Sequence, residues 1–221
     1  MQRWFQKHNR DQHMKPKHVS PLLVAIVGGS GAGKSWLADQ LQKLLGDKAG
    51  RISQDDFYRD RSHLPPGRRA LVNFDHPRAI DWAALEAALK DCLAGKPTWL
   101  PQYDFATHSR LPKCILFKPK PVIILDGLWL LRRPSLRRLF QVRIFIDCPT
   151  KLRLHRRLGR DLLIRGRDQS SVQNQFWKMV EPMNALYVAP QSKWAHILLD
   201  TPFSKSEVRR LAGELLAQVK S

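Results

Sequence analysis

The sequence predicts an α/β fold built on a five-stranded, mainly parallel sheet flanked by helices. Three observations predict it. The apolar run LLVAIV at 22–27 leads straight into GGSGAGKS at 28–35 and then into the helical pattern WLADQLQKLL. Further short apolar runs alternate with helical stretches, the order expected when parallel strands are covered on both faces. The chain has 221 residues, 43% apolar and 26% charged. That length suffices for a sizeable core without disulfides or metal.

The elements follow in order. Residues 22–27 read as a strand buried on both faces. The helix after the glycine loop stops at Gly46, a residue suited to a helix end. Arg51–Ser53, Val122–Leu125, Val142–Ile146 and His196–Leu199 read as the other strands. Asp81 is placed to cap a helix from Trp82 to Leu93 that ends before Gly95, and Pro149 to open one reaching Leu163. A last helix is expected from Ser206 to Val219. The stretch from Trp99 to Lys118 has short apolar runs around THSR and reads as a hairpin or flap laid over the site. Residues 1–20 are polar and basic, lack the apolar centre of a secretory signal, and are expected to form a disordered arm. Residues 21–221 show no repeat or linker and are expected to form one domain.

Composition narrows the function. The cysteines Cys92, Cys114 and Cys148 are odd in number and widely spaced. They point away from a disulfide framework or zinc site and toward a reducing cytoplasm. No apolar run approaches the roughly 18 residues of a membrane span. Lys and Arg number 38 against 19 acids, a net charge of +19. Such a surface attracts polyanions, so non-specific nucleic-acid binding is expected. From Leu131 to Asp168 there are 12 Lys or Arg against 3 Asp, a cluster that also suits a small, highly charged ligand such as ATP.

The glycine loop is the first chemical motif. Gly28, Gly33, Lys34 and Ser35 fit G-x-x-x-x-G-K-[ST], with a strand before and a helix after. The glycines let successive N–H groups point at phosphate oxygens, and the helix N-terminus adds partial positive charge. The nucleotide-binding set is therefore Gly28, Gly29, Ser30, Gly31, Ala32, Gly33, Lys34, Ser35 and Trp36. Lys34 is expected on the β- and γ-phosphates, and Ser35 on Mg²⁺. VIILDG at 122–127 supplies Asp126 as the second metal-directed group. No guanine-reading N/T-K-x-D sequence occurs, and the chain is short for a motor ATPase. A small-molecule kinase fits best.

Four further segments stand in order: QDDFY at 54–58, NFDHP at 73–77, YDFATHSR at 103–110 and RRLGRDLLIRGRD at 156–168. With the phosphate loop and VEPMNALYVAPQSKWAH at 180–196, they resemble the uridine–cytidine kinase family from about Val24 to Leu199. The resemblance implies a P-loop kinase fold with a lid and a small β flap. It implies transfer of a phosphoryl group from ATP, or GTP, with Mg²⁺, to the 5′-hydroxyl of a pyrimidine ribonucleoside, giving UMP or CMP in pyrimidine salvage. It also implies a homotetramer.

The same resemblance makes Asp55 the catalytic acid that orients the acceptor hydroxyl and takes its proton. Along an extended chain its neighbour Asp56 points the other way. Tyr58 lines the site, and Asp75 matches the residue that accepts from the ribose hydroxyls. Tyr103 and His108 match the base-reading pair, with Phe74 and Phe105 placed to sandwich the ring.

On the helix from Pro149, Arg153, Arg156, Arg157 and Arg160 recur at i, i+3, i+4 and i+7, which sets four guanidinium groups on one face. Leu154, Leu158 and Leu162 form a separate apolar stripe. By resemblance, Arg160 and Arg165 are phosphate-directed and catalytic, and Arg157, Arg167 and Gln175 are acceptor-directed. Asp126 stands where the family usually has Glu, and LLDTPFSK replaces its usual sequence after the last strand. A P-loop kinase for another small acceptor, and an ATP-switched nucleic-acid-binding protein, are the rival readings.

Overall fold

The computed structural model describes residues 20–70, 72–163, 166 and 168–220. The expected arm over residues 1–20 lies outside these residues, except for Ser20.

Five parallel strands form the central sheet in the order β2-β7-β1-β8-β9. They are β1 (Leu22–Gly28), β2 (Ala49–Ser53), β7 (Val122–Gly127), β8 (Val142–Asp147) and β9 (Ile197–Asp200). β1, β2, β7 and β8 each contain the run expected from the sequence, and β9 overlaps the expected His196–Leu199 but starts at Ile197. β7 is buried throughout and β1 from its second residue on, which explains why both read as unbroken apolar runs.

Alternation along these strands builds two cores. Leu23, Ala25, Val27, Ile123 and Leu125 pack on one face with Leu85, Leu89 and Trp129. Val24, Ile26, Val122 and Ile124 pack on the other with Leu37, Leu41, Leu211 and Leu215. The helices supplying these residues are α1 (Lys34–Leu45) and α8 (Lys205–Lys220) on the second face, and α3 (Trp82–Leu93) on the first. Asp81 caps α3 as expected, its carboxylate accepting from Ala84 N at 3.1 Å. Truncating a fully buried residue such as Leu41 to Ala costs about 2–5 kcal/mol.

The segment 98–117 forms two antiparallel ribbons. β3 (Thr98–Leu100) pairs with β6 (Ile115–Phe117), and β4 (Tyr103–Asp104) pairs with β5 (Ser109–Arg110). This is the expected flap, doubled. A short helix α2 (Pro66–Ala70) occupies the basic, Pro-rich stretch that gives no clear sequence signal, and α4 (Pro134–Arg137) interrupts the β7–β8 connection.

Helix α5 spans Thr150–Leu163. Its buried residues are Arg153, Arg157 and Asp161, spaced i, i+4, i+8. The expected leucine stripe is the more exposed one: Leu154 and Leu158 are half-buried and Leu162 is exposed. The polar stripe faces inward because it packs against the glycine loop and finds charged partners there.

A helical run from Gln169 to Trp194 follows. It comprises α6 (Gln169–Gln175), the turn α7 (Glu181–Met183), two π-helical turns at Phe176–Val180 and Asn184–Val188, and a 3-10 stretch at Ala189–Trp194. Each π turn rotates the buried face, so no steady 3.6-residue pattern marks this run in the sequence. Among the described residues no helix is long and apolar enough to cross a membrane.

Candidate active site

All five strands end at one edge of the sheet, and a cleft of about 1070 Å³ opens there. It has a phosphate-loop half and an aromatic half.

The loop from Gly28 to Ser35 lines the first half. Gly31 and Gly33 take φ of +82° and +99°, a region costly for residues with a Cβ. A Cβ on Gly31 would lie 2.4 Å from Arg153 O. The curl therefore needs glycine for both conformation and space. α1 starts at Lys34, so its free N–H groups face the loop. Lys34 Nζ donates to Gly29 O at 2.9 Å. Burial pulls its ammonium down to about 8, and the carboxylates of Asp55 and Asp126 oppose that shift. Trp36 is half exposed at the rim, its ring 5.6 Å from that of Phe203.

Asp126 is buried at the end of β7. Ser35 Oγ donates to its Oδ2 at 2.8 Å, and Arg51 Nε donates to its Oδ1 at 3.0 Å. The sequence motifs identify Ser35 and Asp126. They do not identify Arg51, which reaches the carboxylate only because β2 lies beside β7. Both oxygen donors are hard and adjacent, and so fit Mg²⁺. Among the described residues no three His, Cys, Asp or Glu side chains close a metal cage. An ion here would take its remaining ligands from nucleotide phosphates and water, the usual habit of Mg²⁺.

Asp55 sits on a 3-10 turn, Gln54–Phe57, and enters the cleft. Its N–H donates to Ser53 Oγ at 3.2 Å. Gln54 is fully buried and accepts from Trp129 N at 3.1 Å, which ties this turn to the loop after β7. Asp56 does not line the cleft. Its carboxyl is pushed up to about 6 by burial, then by the charges of Asp55 and Asp126, against a hydrogen bond from the Tyr103 backbone.

The aromatic half gathers Tyr58, Phe74, Asp75, Tyr103, Phe105 and His108 from three separate segments. Tyr58 Oη donates to Phe74 O at 3.0 Å. Tyr103 is buried, which raises its phenol to about 12, and its hydroxyl has no hydrogen-bond partner among the described residues. Such an orphan is costly unless a ligand satisfies it.

His108 has φ +53° and stacks on Phe74, centroids 4.6 Å apart and rings 10° from parallel. One face of Phe74 is thus taken by His108 rather than open toward Phe105. Phe105 instead meets Tyr58 and Tyr103 edge-on.

The α5 arginines do not act as one open face. Arg153 is buried and pairs with Glu181, and also donates to Cys148 O at 3.1 Å. Arg156 Nη1 donates to Ala32 O at 3.3 Å. Arg157 spans the two halves: it donates to Ser30 Oγ at 2.9 Å and to Gln175 Oε1 at 3.0 Å, with Asp75 3.9 Å away. Arg160 lines the cleft and pairs with Asp161 at 2.8 Å. The expected lid residues Arg165 and Arg167 lie outside the described residues. Glu181, like Arg51, gives no signal in the sequence, because its partner is 28 residues away on another helix.

Comparison with known proteins adds the following. The phosphoribulokinase / uridine kinase family profile matches residues 23–205. The uridine kinase of Brevibacillus brevis is 38% identical over 181 residues, covering 81% of this chain and 85% of that one. The uridine kinase of Tolumonas auensis is 41% identical over 183 residues, covering 80% and 86%. The structure of phosphoribulokinase from Rhodobacter spheroides superposes with a TM-score of 0.60 at 17% identity, covering 82% of this chain and 70% of that one, a likeness of fold.

Proposed function

The chain belongs to the phosphoribulokinase / uridine kinase family of phosphotransferases, and from that premise we propose that it phosphorylates the 5′-hydroxyl of uridine or cytidine. ATP is the donor, with GTP a second candidate, and the products are UMP or CMP and the nucleoside diphosphate. The reading places the enzyme in pyrimidine salvage in the cytoplasm.

The observation that carries the acceptor assignment is the orphaned, buried hydroxyl of Tyr103 in a ring-lined pocket beside His108 and Asp75. Tyr103 and His108 supply polar atoms for the edge of a pyrimidine, and Asp75 accepts from the ribose hydroxyls. The aromatic groups exclude water around the base.

The glycine loop and Lys34 hold the triphosphate, with Ser35 and Asp126 toward Mg²⁺. When bound, the ion neutralises phosphate charge. Asp55 orients the acceptor hydroxyl and takes its proton as that oxygen bonds to the γ-phosphorus and the bridging oxygen leaves. Arg160 and Arg157 face the charge that builds up between donor and acceptor. The lid arginines Arg165 and Arg167 are assigned to the same task by family resemblance.

The test is a product-resolved assay with uridine, cytidine, deoxycytidine, adenosine and pantothenate. UMP or CMP formation that vanishes in Asp55→Asn supports the reading. Unchanged turnover in a Tyr103→Phe/His108→Ala variant overturns the acceptor assignment.

A further inference from the structure

A second cationic feature lies outside the cleft. The β7–β8 connection carries Arg132, Arg133, Arg137 and Arg138, and three of these lie over aromatic rings. Arg132 sits 4.6 Å from the Tyr187 centroid, Arg133 5.4 Å from Trp82, and Arg137 4.2 Å from Trp194. Lys193 covers Trp194 as well, at 4.7 Å. The segments 132–138 and 187–194 contain no acid. Of the nearby acids, Asp81 pairs with Arg110 at 3.2 Å, and Glu86 pairs with Lys90 at 3.2 Å while accepting from Ser135 Oγ at 3.3 Å, so one carboxylate borders the arginines.

The rows join into one ridge. Tyr187 and His76 are linked at 3.2 Å between Oη and Nε2, and Gln191 binds Leu131 N at 2.9 Å. His76 marks the cleft end, next to Asp75. Arg143, which pairs with His196 at the start of β8, marks the other. The ridge thus draws on the β7–β8 connection, the segment 187–194 and the start of β8. Its field is felt locally: burial and then the charges of Arg78 and Arg132 hold His76 below the usual histidine range.

We propose that this ridge binds the phosphodiester backbone of a nucleic-acid strand. Its four arginines and Lys193 outnumber the one bordering acid, Glu86, and present the net positive charge that complements a polyanion. A guanidinium laid on a ring has already lost much of its rotational freedom, so less is lost on binding phosphate. The rings beneath are covered by the cations, so the contact reads phosphate rather than base, and binding is independent of sequence. A second copy of the same face would repel it. The ridge is separate from the residues assigned to phosphoryl transfer.

The experiment uses the full chain with a labelled 15-nucleotide RNA, the same-sequence DNA strand and its duplex, each titrated from 50 to 300 mM salt. The ridge variant carries Arg132→Gln, Arg133→Gln, Arg138→Gln and Lys193→Gln. A charge-matched control carries Lys43→Gln, Lys48→Gln, Lys113→Gln and Lys118→Gln. Wild type is expected to bind with a steep salt dependence. The ridge variant should bind at least tenfold more weakly at 100 mM salt, with a log–log slope shallower by about 2 to 3 for a single strand. The control should keep wild-type affinity within threefold, and both variants should keep kinase turnover within twofold, which shows that they are folded. RNA, DNA or duplex preference identifies the form of strand. Equal losses in the two variants, no loss in the ridge variant, or absence of binding by wild type would each overturn the proposal.

Discussion

Ser35 Oγ donates to Asp126 Oδ2 at 2.8 Å, across 91 residues of sequence. This bond joins the first turn of α1 to the end of β7, the two elements that flank β1 in the phosphate site. With Arg51 on Oδ1, both oxygens of a buried carboxylate are engaged without a ligand. Asp126 is thus held in one orientation by two donors from different elements.

Removing either partner should alter the metal requirement rather than the fold. Asp126→Asn is expected to raise the Mg²⁺ concentration for half-maximal turnover by tenfold or more. Ser35→Ala should do so to a lesser degree. Equilibrium Mn²⁺ binding in the presence of nucleotide checks the same point without turnover.

The adjacent acids Asp55 and Asp56 should behave oppositely. Asp55→Asn is expected to cut kcat by about 10²–10⁴ with acceptor KM little changed. Asp56 has a folded pKa of about 6, above its unfolded value. Its ionisation therefore opposes folding, and stability falls as pH rises from about 4 to 6. Asp56→Asn should raise the Tm at pH 7.5, with the gain disappearing near pH 4. A melting series over pH decides this.

Lys34 gives a pH signature of its own. Its folded pKa of about 8 lies below the unfolded value, so the unfolded chain binds the extra proton between pH 8 and 10.5. Its contribution to stability therefore rises with pH across that window. Nucleotide binding should move the other way, weakening above pH 8 as the ammonium is lost. Lys34→Met should abolish turnover and remove the pH-dependent stability gain, both read from melts and nucleotide titrations.

The Arg153–Glu181 pair is a structural prediction. Arg153 is 3% exposed and lies under the glycine loop. Glu181→Ala leaves that charge unpaired and should cost about 3–5 kcal/mol in denaturant unfolding. A Glu181→Gln variant, which keeps an acceptor, should lose less.

A backbone test concerns Gly31. Gly31→Ala combines positive φ with a Cβ that would meet Arg153 O at 2.4 Å. It is expected to destabilise the chain by about 1–3 kcal/mol and to abolish nucleotide binding, measured by calorimetry.

Much of this molecule is legible in its sequence because the signals are local. Val24–Val27 is apolar without a break because both its faces are buried, so the strand can be read directly. The glycine loop can be read because its conformation demands glycine at fixed spacing. The aromatic residues of the cleft are found through blocks such as YDFATHSR, whose order resembles a known family. The helical run 169–194 is not legible, since two π turns break the periodicity that would reveal it. The direction of α5 is also misread, because spacing alone cannot say which stripe faces inward.

The sequence by itself determined the parallel α/β sheet, the phosphate loop, and the residue types of the cleft. Only the tertiary structure decided their partners. It set Arg51 on Asp126, Glu181 on Arg153 and His108 on Phe74, and it buried the charged stripe of α5 instead of its leucines. The physical reason is that strand and helix patterns arise from neighbours a few residues apart. The pairing of a buried charge depends on which distant segments the sheet order brings within about 3 Å.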